Sequence, residues 1–467
     1  MYKVKIADEV LLCEKGELLS ELLIKNGKSV EHPCGGRGTC KKCKVLVDGR
    51  EELSCLYKVN SDICVELFSQ GDIVSETGAI ESESVTKSDE LCLCVDIGTT
   101  TLALALVDNF YKRILKVTTA TNPQRSFGAD VMSRIEYCSK NGTDRLQNLL
   151  IEKINEMSAE LGLNKAVTLY ASGNVTMLHI FFGVDCTGLG VAPYTAKFLE
   201  SKQVTGKSLG LNNIDEVVAL PSVHTFFGAD LTAGVNYAGY PQKGFYNLLV
   251  DLGTNAEIML YSEDKAICTS AAAGPCFEGV NISCGMSATE GAISGCELLE
   301  DRICVETIGD AEPKGICGTG LVDIIACLLR KGIIDKTGYM ECESFEIVPN
   351  IYVTQKDIRQ YQLAKSAVRS AVEAVIAEEN VSFEQIERMY ISGGFSSKIN
   401  INNAVATGVL PEELKRKCVA INNSSLLGTV KFACEQSDIS QFLINAKYID
   451  MSCNPNFSDL FIVNLDF

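Results

Sequence analysis

Four cysteines near the N-terminus have the spacing of ligands to an iron–sulfur cluster. They form the pattern C-x5-C-x2-C-x11-C and are Cys34, Cys40, Cys43 and Cys55. Three thiolates on one tight loop and a fourth beyond a strand are what a 2Fe–2S cluster requires. The glycines between them let backbone N–H groups approach the inorganic sulfides. Zinc is the alternative metal, although a zinc ribbon usually combines two C-x2-C pairs and this stretch contains one.

A second pattern, Asp-x-Gly-Thr, occurs twice, each time at the end of an apolar run that predicts a strand. Its residues with phosphate-binding chemistry are, in the first copy, Asp96, Gly98, Thr99 and Thr100, and in the second copy, Asp251, Gly253, Thr254 and Asn255. A carboxylate at a strand end can hold hydrated Mg²⁺, and the residues after it offer N–H and O–H donors to phosphate oxygens. One such hairpin is most often only a turn, whereas two in a duplicated fold predict a nucleotide site.

Further carboxylates are candidates for the same site. The tetrapeptide Phe-Gly-Ala-Asp ends at Asp130 and again at Asp230, and each copy opens a helix-like stretch. Either aspartate reaches the nucleotide or a bound water, or it only complements a helix N-terminus. Glu257 is a candidate water-orienting base, with a solvent-facing hairpin glutamate as the alternative. His179 and His224 are expected to be structural.

The elements that must position these residues form a repeat. In each half, an Asp-x-Gly-Thr strand is followed by a second apolar run, and later by a helical segment and a strand that ends in a glycine turn. The two turns are Ser172-Gly173-Asn174 and Ser392-Gly393-Gly394. The repeat predicts two similar α/β halves, about 91–243 and 244–467, with a cleft between them.

Residues 1–70 predict a separate small domain with the order strand, strand, helix, loop, strand. The following segment, 71–90, contains six acids, one lysine and no aromatic residue. This composition is typical of a flexible linker, and a solvated loop inside one domain is the alternative.

Composition excludes several functional classes. The 467 residues are 46% apolar and 22% charged, which is typical of a soluble protein with more than one domain. No run of about 18 apolar residues predicts a membrane helix, and a net charge of −18 disfavours nucleic acid and anionic membranes as partners. Twenty-one cysteines without an export signal indicate reduced thiols and a cytoplasmic location.

The cysteine loop resembles that of plant- and adrenodoxin-type ferredoxins, which implies a β-grasp domain. Its first gap is of the adrenodoxin kind, and its short last gap is similar to that of the succinate dehydrogenase iron–sulfur subunit. Under this resemblance Cys64 competes with Cys55 for the fourth ligand position. Cys55 is favoured because it lies closer to the expected place.

The duplicated region resembles the acetate-and-sugar-kinase, heat-shock-chaperone and actin (ASKHA) superfamily of ATPases, with its RNase H-like halves. The resemblance implies that residues 96–101 and 251–255 are the two phosphate motifs and that Gly393 and Gly394 belong to the adenosine motif. Other short motifs resemble those of the ATPase domain of reductive activators of corrinoid proteins. These motifs occupy residues 122–124, 127–130, 273–275, 277–279, 316–321 and 363–365. The longer activators have additional middle domains, of which only 71–90 is expected to remain here.

This resemblance implies ATP-dependent reductive activation, in which a 2Fe–2S cluster passes one electron to a corrinoid protein and reduces Co(II) to Co(I). It implies that ATP and Mg²⁺ are cofactors and that Asp96 and Asp251 are the catalytic residues. The implied partners are the corrinoid protein of a methyltransferase system, an upstream low-potential reductant and a second copy in a homodimer. Two other functions stay open: an ATP-gated electron donor to a different low-potential metalloenzyme, and an electron carrier whose nucleotide fold only senses.

Overall fold

The structure is a computed structural model, and it describes residues 1–6, 9–26, 28, 36, 38, 43–67, 90–128, 130–163, 165–253, 255–300, 302–394, 396–436 and 445–467. Of the predicted linker, 71–90, only Glu90 lies within these ranges. Among the helices of the described ranges, none combines the length and apolar character that a membrane crossing needs.

Within the described ranges, the N-terminal residues form a small mixed sheet with one helix. Its elements are β1 (Tyr2–Ile6), β2 (Glu9–Cys13), α1 (Leu19–Lys25), β3 (Lys44–Val47), β4 (Arg50–Leu53) and β5 (Ile63–Leu67). The strand order is β2-β1-β5-β3-β4, with β1 and β5 parallel. Leu19, Leu22 and Leu23 of α1 are buried against the sheet. This strand order is that of a β-grasp fold, and the assignment of a ferredoxin stays a prediction.

The first α/β half is built on a six-stranded sheet of order β10-β11-β9-β6-β7-β8. Its elements are β6 (Leu91–Ile97), β7 (Thr101–Asp108), β8 (Arg113–Thr121), α2 (Val131–Asn141), α3 (Asp144–Glu160), β9 (Val167–Gly173), α4 (Val175–Phe181), β10 (Lys202–Thr205), α5 (Gly206–Leu209), β11 (Ile214–Ala219) and α6 (Ala229–Ala238). The apolar faces of α3 and α4 cover one side of this sheet, where they form its main core.

The second half is built on a six-stranded sheet of order β21-β20-β12-β13-β14-β22. The elements before the long helix of this half are β12 (Tyr246–Leu252), β13 (Ala256–Tyr261), β14 (Ala266–Ala271), β15 (Ala292–Leu299), β16 (Arg302–Thr307), β17 (Gly315–Ile316), α7 (Gly318–Arg330), β18 (Ser344–Val348) and β19 (Ile351–Thr354). The remaining elements are α8 (Gln355–Glu378), β20 (Ile386–Ser392), α9 (Ile401–Ala406), β21 (Cys418–Ala420), α10 (Ser424–Glu435), β22 (Ala446–Tyr448) and α11 (Pro455–Val463).

The predicted duplication is confirmed by strand pairing. In the first half, β6, β7 and β8 form an antiparallel meander, and β9 and β11 add parallel to β6 on its other side. In the second half, β12, β13 and β14 form the same meander, and β20 and β21 add parallel to β12. Each half therefore has the strand order of an RNase H-like fold, with one extra edge strand.

Two helices join the halves, because each one packs on the sheet of the other half. Helix α6 follows the last parallel strand of the first half, yet its Leu231 and Val235 pack on the second sheet. Helix α10 follows the last parallel strand of the second half, and its Leu426 and Val430 pack on the first sheet. The two helices cross where Gly428 lies against the carbonyl oxygen of Ala233. Each half consequently contributes a helix N-terminus to the other half's hairpin.

Candidate functional site

Four carboxylates converge between the two halves. Asp96 lies near the end of β6, Asp251 near the end of β12, Glu257 on β13, and Asp230 in the first turn of α6. All four are partly buried. Burial raises the pKa of each one, and the charges of neighbouring members of the group raise the pKa of Asp96, Asp230 and Glu257 further. The group is therefore a site of concentrated negative charge, which favours a cation.

Asp96 accepts a hydrogen bond from a hydroxyl group of the other half, and further hydroxyl groups surround that donor. Ser425 Oγ, in the first turn of α10, donates to Asp96 Oδ1 at 2.8 Å. Ser172 Oγ lies 2.9 Å from Ser425 Oγ and accepts from Thr429 Oγ1 at 2.7 Å. Burial raises the pKa of Asp96 to about 6, and the bond from Ser425 opposes that rise.

Asp251 has a different set of neighbours. Ser392 Oγ donates to Asp251 Oδ2 at 2.5 Å, and this bond partly offsets the burial that raises the pKa of Asp251. Burial and the charges of Asp251 and then Asp96 raise the pKa of Asp230 to about 7. Burial, Asp251 and Asp230 raise the pKa of Glu257 well above its usual range. The Asp251 side therefore has more carboxyl groups, and their mutual repulsion and burial favour the protonated forms of Asp230 and Glu257.

The turn after Asp96 is braced by two asparagines. Asn122 Nδ2 donates to the carbonyl oxygen of Gly98 at 2.7 Å, and its backbone N–H donates to that of Thr100 at 2.9 Å. Asn174 Nδ2 donates to Thr99 Oγ1 at 3.0 Å. Since the Thr99 hydroxyl accepts this bond, its own hydrogen is available for a phosphate oxygen.

The turn after Asp251 is more open. The N–H of Gly253 donates to the carbonyl oxygen of Asn255 at 3.0 Å, and Asn255 is exposed. Thr254, which the sequence also assigned to this motif, lies outside the described residues.

The predicted glycine turns contact the ends of both hairpin strands. Gly393 has φ +102°, and a Cβ there would lie 2.1 Å from the carbonyl oxygen of Leu252. Gly173 occupies the matching position of the first half, where a Cβ would lie 2.8 Å from the carbonyl oxygen of Ile97. Only glycine permits this approach without a shift of backbone. Gly394 is exposed, and a Cβ there would meet no atom within 4 Å, which leaves its backbone open to a ligand.

Two of the four predicted cluster ligands can be located. Cys43 and Cys55 are buried, and their Sγ atoms lie 3.2 Å apart. Cys64, the competing fourth ligand, is exposed on β5. Cys34 and Cys40 lie outside the described residues. Within the described ranges, which contain only half of the predicted ligand set, no group of three or more metal-ligating side chains occurs.

The two Phe-Gly-Ala-Asp copies have different roles. Asp130 is the N-cap of α2, and its Oδ1 accepts from the N–H of Ser133 at 2.7 Å. Asp230 instead belongs to the carboxylate group described above. Asp130 therefore caps a helix N-terminus, as one of the two alternatives predicted, whereas Asp230 also faces the other carboxylates.

The two described histidines have structural surroundings, as expected. His179 is fully buried; its Nδ1 lies 2.7 Å from the carbonyl oxygen of Val175, and its Nε2 accepts from the N–H of Lys197. His224 stacks on Tyr448 with ring centroids 4.2 Å apart.

Sequence reasoning missed Ser425, although a signal existed. Ser425 is the second residue of α10, and Asp230 is the second residue of α6. Alignment of the two helix starts within the repeat would have identified Ser425 as the partner of Asp96.

Family models match most of the chain. The model described as the C-terminal domain of RACo, the ASKHA domain, matches residues 246–467, and the model of the RACo middle region matches residues 91–243. The prediction that only 71–90 remains of the middle part was therefore wrong. The matched segment is the half built on β6–β11, which the sequence had assigned to the ATPase alone.

Individual proteins that are similar to this chain have names that refer to corrinoid activation or reduction. The corrinoid activation enzyme RamQ of Eubacterium limosum is 28% identical over 421 residues, covering 80% of this chain and 70% of that protein. The [Co(II) methylated amine-specific corrinoid protein] reductase of Methanosarcina barkeri is 27% identical over 426 residues, covering 80% and 76%. A solved structure of a reductive activator for corrinoid, iron–sulfur protein is 26% identical, with a TM-score of 0.71 over 100% of this chain and 98% of that chain.

Proposed function

The chain belongs to the RACo family, and we propose that it is an ATP-dependent activator that reduces the cobalt of a corrinoid protein from Co(II) to Co(I) by one electron. The observation that carries the proposal is the group of four carboxylates between two like halves, in a chain that also holds two buried thiols side by side. The names of the relatives support the corrinoid protein as partner.

The cleft residues divide the work of nucleotide binding. Asp96 and Asp251 would hold hydrated Mg²⁺, which also relieves the repulsion among the carboxylates. The turns at 98–100 and 253–255 would donate to phosphate oxygens, and Gly393 and Gly394 would lie along the adenosine. Asp230 and Glu257 remain on the charge-dense side, where a carboxylate can orient the attacking water.

The N-terminal residues fit a 2Fe–2S cluster. The two located thiols, Cys43 and Cys55, share one buried spot. Nearby Gly36 and Gly38 have φ of +81° and +73°, and a Cβ on Gly38 would lie 2.6 Å from Leu56 Cδ1. This backbone can approach a cluster where side chains would not fit.

When bound by its four predicted ligands, Cys34, Cys40, Cys43 and Cys55, the cluster would supply a one-electron carrier. We expect Cys55→Ser to abolish the 2Fe–2S visible and EPR spectra, and the matched Cys64→Ser to keep them. Loss in the Cys64 variant alone would transfer the fourth ligand to Cys64.

ATP is needed because the electron transfer is uphill. A plant-type 2Fe–2S centre has a potential of about −400 mV, and we propose that the Co(II)/Co(I) couple of the corrinoid partner lies lower. Each 59 mV of difference costs about tenfold in the equilibrium constant of a one-electron step. A nucleotide can shift this equilibrium only by its differential affinity for two states, such as an open and a closed cleft. ATP and the corrinoid protein should therefore change each other's affinity.

The test is anaerobic and uses the full chain with its cluster loaded. Co(II) corrinoid protein and a low-potential reductant are added with and without ATP, and the Co(I) absorbance is recorded. We expect Co(I) to form with ATP and not with ADP. ATP hydrolysis without cobalt reduction would mean that the protein donates electrons to a different acceptor. An intact cluster without ATP turnover would mean that the protein is an electron carrier whose nucleotide fold only senses. A cytoplasmic location, the upstream reductant and the homodimer stay predictions.

A further inference from the structure

A buried arginine lies beneath the first phosphate turn. Arg134, on α2, has no exposed surface. Its guanidinium donates to the backbone carbonyl oxygen of Thr99 and, through Nε at 3.0 Å, to that of Gly128. Nη1 donates to Gln124 Oε1 at 3.1 Å and contacts Met177 Sδ at 3.0 Å. Arg134 therefore links α2 to three other segments of the first half.

All four acceptors are neutral. Among the described residues, no carboxylate forms an ion pair with Arg134. Asp130 is the nearby acid whose charge acts on it, but both the N–H and the Oγ of Ser133 donate to that carboxylate. Burial and then the positive charge of Arg125 lower the pKa of Arg134 to about 9, so the side chain is still charged at pH 7.

The need for hydrogen bonds does not by itself explain why a charged side chain occupies this buried position. Removing a cation from water is costly. The charge of Asp130 offsets part of that cost, but its carboxylate forms no ion pair with Arg134 among the described residues. A neutral amide could donate to the Thr99 carbonyl without that cost. A positive charge at this position becomes favourable when negative charge binds on the other side of the turn, because attraction through the protein interior is weakly screened.

We propose that Arg134 is a positioning residue for the triphosphate: it fixes the turn at 98–101 through the Thr99 carbonyl, and its buried charge offsets that of the bound phosphates. The proposal rests on the nucleotide site proposed above and deepens it. Arg134 does not touch the nucleotide, since the turn lies between them. The planar guanidinium is suited to this position, because its donors point in fixed directions to several acceptors at once.

The test compares two ligands in the full-length protein with Mg²⁺ present. The affinities of ATP and of adenosine are measured by displacement of a fluorescent ATP analogue, and the thermal midpoint is recorded without nucleotide. The variants are Arg134→Met, which removes the charge, and Arg134→Lys, which keeps the charge and loses the planar group. Arg145, exposed on α3, supplies the matched controls Arg145→Met and Arg145→Lys.

We expect Arg134→Met to weaken ATP binding by about tenfold or more and adenosine binding by less than about twofold, with Arg134→Lys in between. A purely structural role would lower the thermal midpoint and leave the ratio of the two affinities unchanged, and that result in Arg134→Met would overturn the proposal. If the wild-type protein binds no ATP, the nucleotide function itself is wrong, which separates the two failures.

Discussion

The two hairpins of the cleft occupy equivalent positions in a duplicated fold, yet they differ in charge. The helix N-terminus that reaches Asp96 presents Ser425, whose hydroxyl donates to that carboxylate. The helix N-terminus that serves the Asp251 side presents Asp230, whose carboxylate carries a pKa raised to about 7. Glu257 adds a further acid on the Asp251 side. At equivalent positions of the two helices, one half therefore presents a hydrogen-bond donor and the other a carboxyl group whose ionisation is disfavoured.

This difference separates positioning from chemistry. The Asp96 side is braced before any ligand binds, by Ser425 and by the asparagines that hold its turn. On the Asp251 side the carboxyl groups lie close together in the free protein, so a bound cation would offset their mutual repulsion. In the proposed function, the duplication supplies the geometry, Ser425 positions Asp96, and Asp230 lies on the side proposed for the reacting water.

The largest expected effect comes from the two strand-end aspartates. Asp251→Asn should lower ATP turnover by about 100-fold or more, because a ligand of Mg²⁺ is lost. At pH 8 it should also raise the thermal midpoint of the nucleotide-free protein by about 2–4 °C, since a buried charge among like charges is removed. Asp96→Asn should lose turnover similarly with a smaller gain in midpoint, because the charge of Asp251 raises the pKa of three other carboxyl groups, whereas that of Asp96 raises the pKa of Asp230. Equal gains, measured by scanning fluorimetry, would contradict the asymmetry.

An exchange at the helix starts tests the comparison directly. Ser425→Asp places a carboxylate beside Asp96 and should lower the thermal midpoint at pH 8 by about 2–4 °C, with little change at pH 5. The neutral control is Ser425→Asn. Asp230→Asn should raise the midpoint at pH 8 and reduce ATP turnover about 100-fold if its carboxylate orients water. A Ser425→Asp protein as stable as its Asn control would show that the first half-site tolerates charge.

The pH dependence of stability should follow the raised pKa values. A carboxyl group whose pKa is higher in the folded state favours folding when protonated, and that contribution is lost as pH rises through the folded value. For Asp96 and Asp230 these values are about 6 and about 7. The nucleotide-free protein should therefore lose stability from about pH 4, where these carboxyl groups ionise in the unfolded chain, up to about pH 7, and Mg²⁺–ATP should stabilise it more at the higher pH. A flat profile without nucleotide, recorded by thermal unfolding, would contradict the assignment.

The smallest effect is expected at the other copy of Phe-Gly-Ala-Asp. Asp130→Ala removes the N-cap of α2 and should cost about 1 kcal/mol of unfolding free energy, while ATP turnover stays within about twofold. Asp130→Asn keeps a capping side chain and should restore most of the stability. A large loss of turnover in the alanine variant with normal stability would mean that both copies serve the nucleotide.

The repeated motifs could be predicted from the sequence, whereas the contacts between the two halves could not. Asp96 and Asp251 were predicted because each ends an apolar strand within the same short motif. Asp130 and Asp230 could not be separated, since they end identical tetrapeptides and differ only in what their helices face. Ser425 was missed because its bond to Asp96 joins residues 329 positions apart through the exchange of helices.

The most direct test of the account is the rate of ATP hydrolysis by the cluster-loaded, full-length protein with and without Co(II) corrinoid protein, under anaerobic conditions. We predict that the Co(II) form stimulates hydrolysis, that the same partner with its cobalt methylated does not, and that Asp251→Asn abolishes the stimulation. Hydrolysis that is indifferent to the partner's cobalt state would contradict the coupling between the cleft and cobalt reduction.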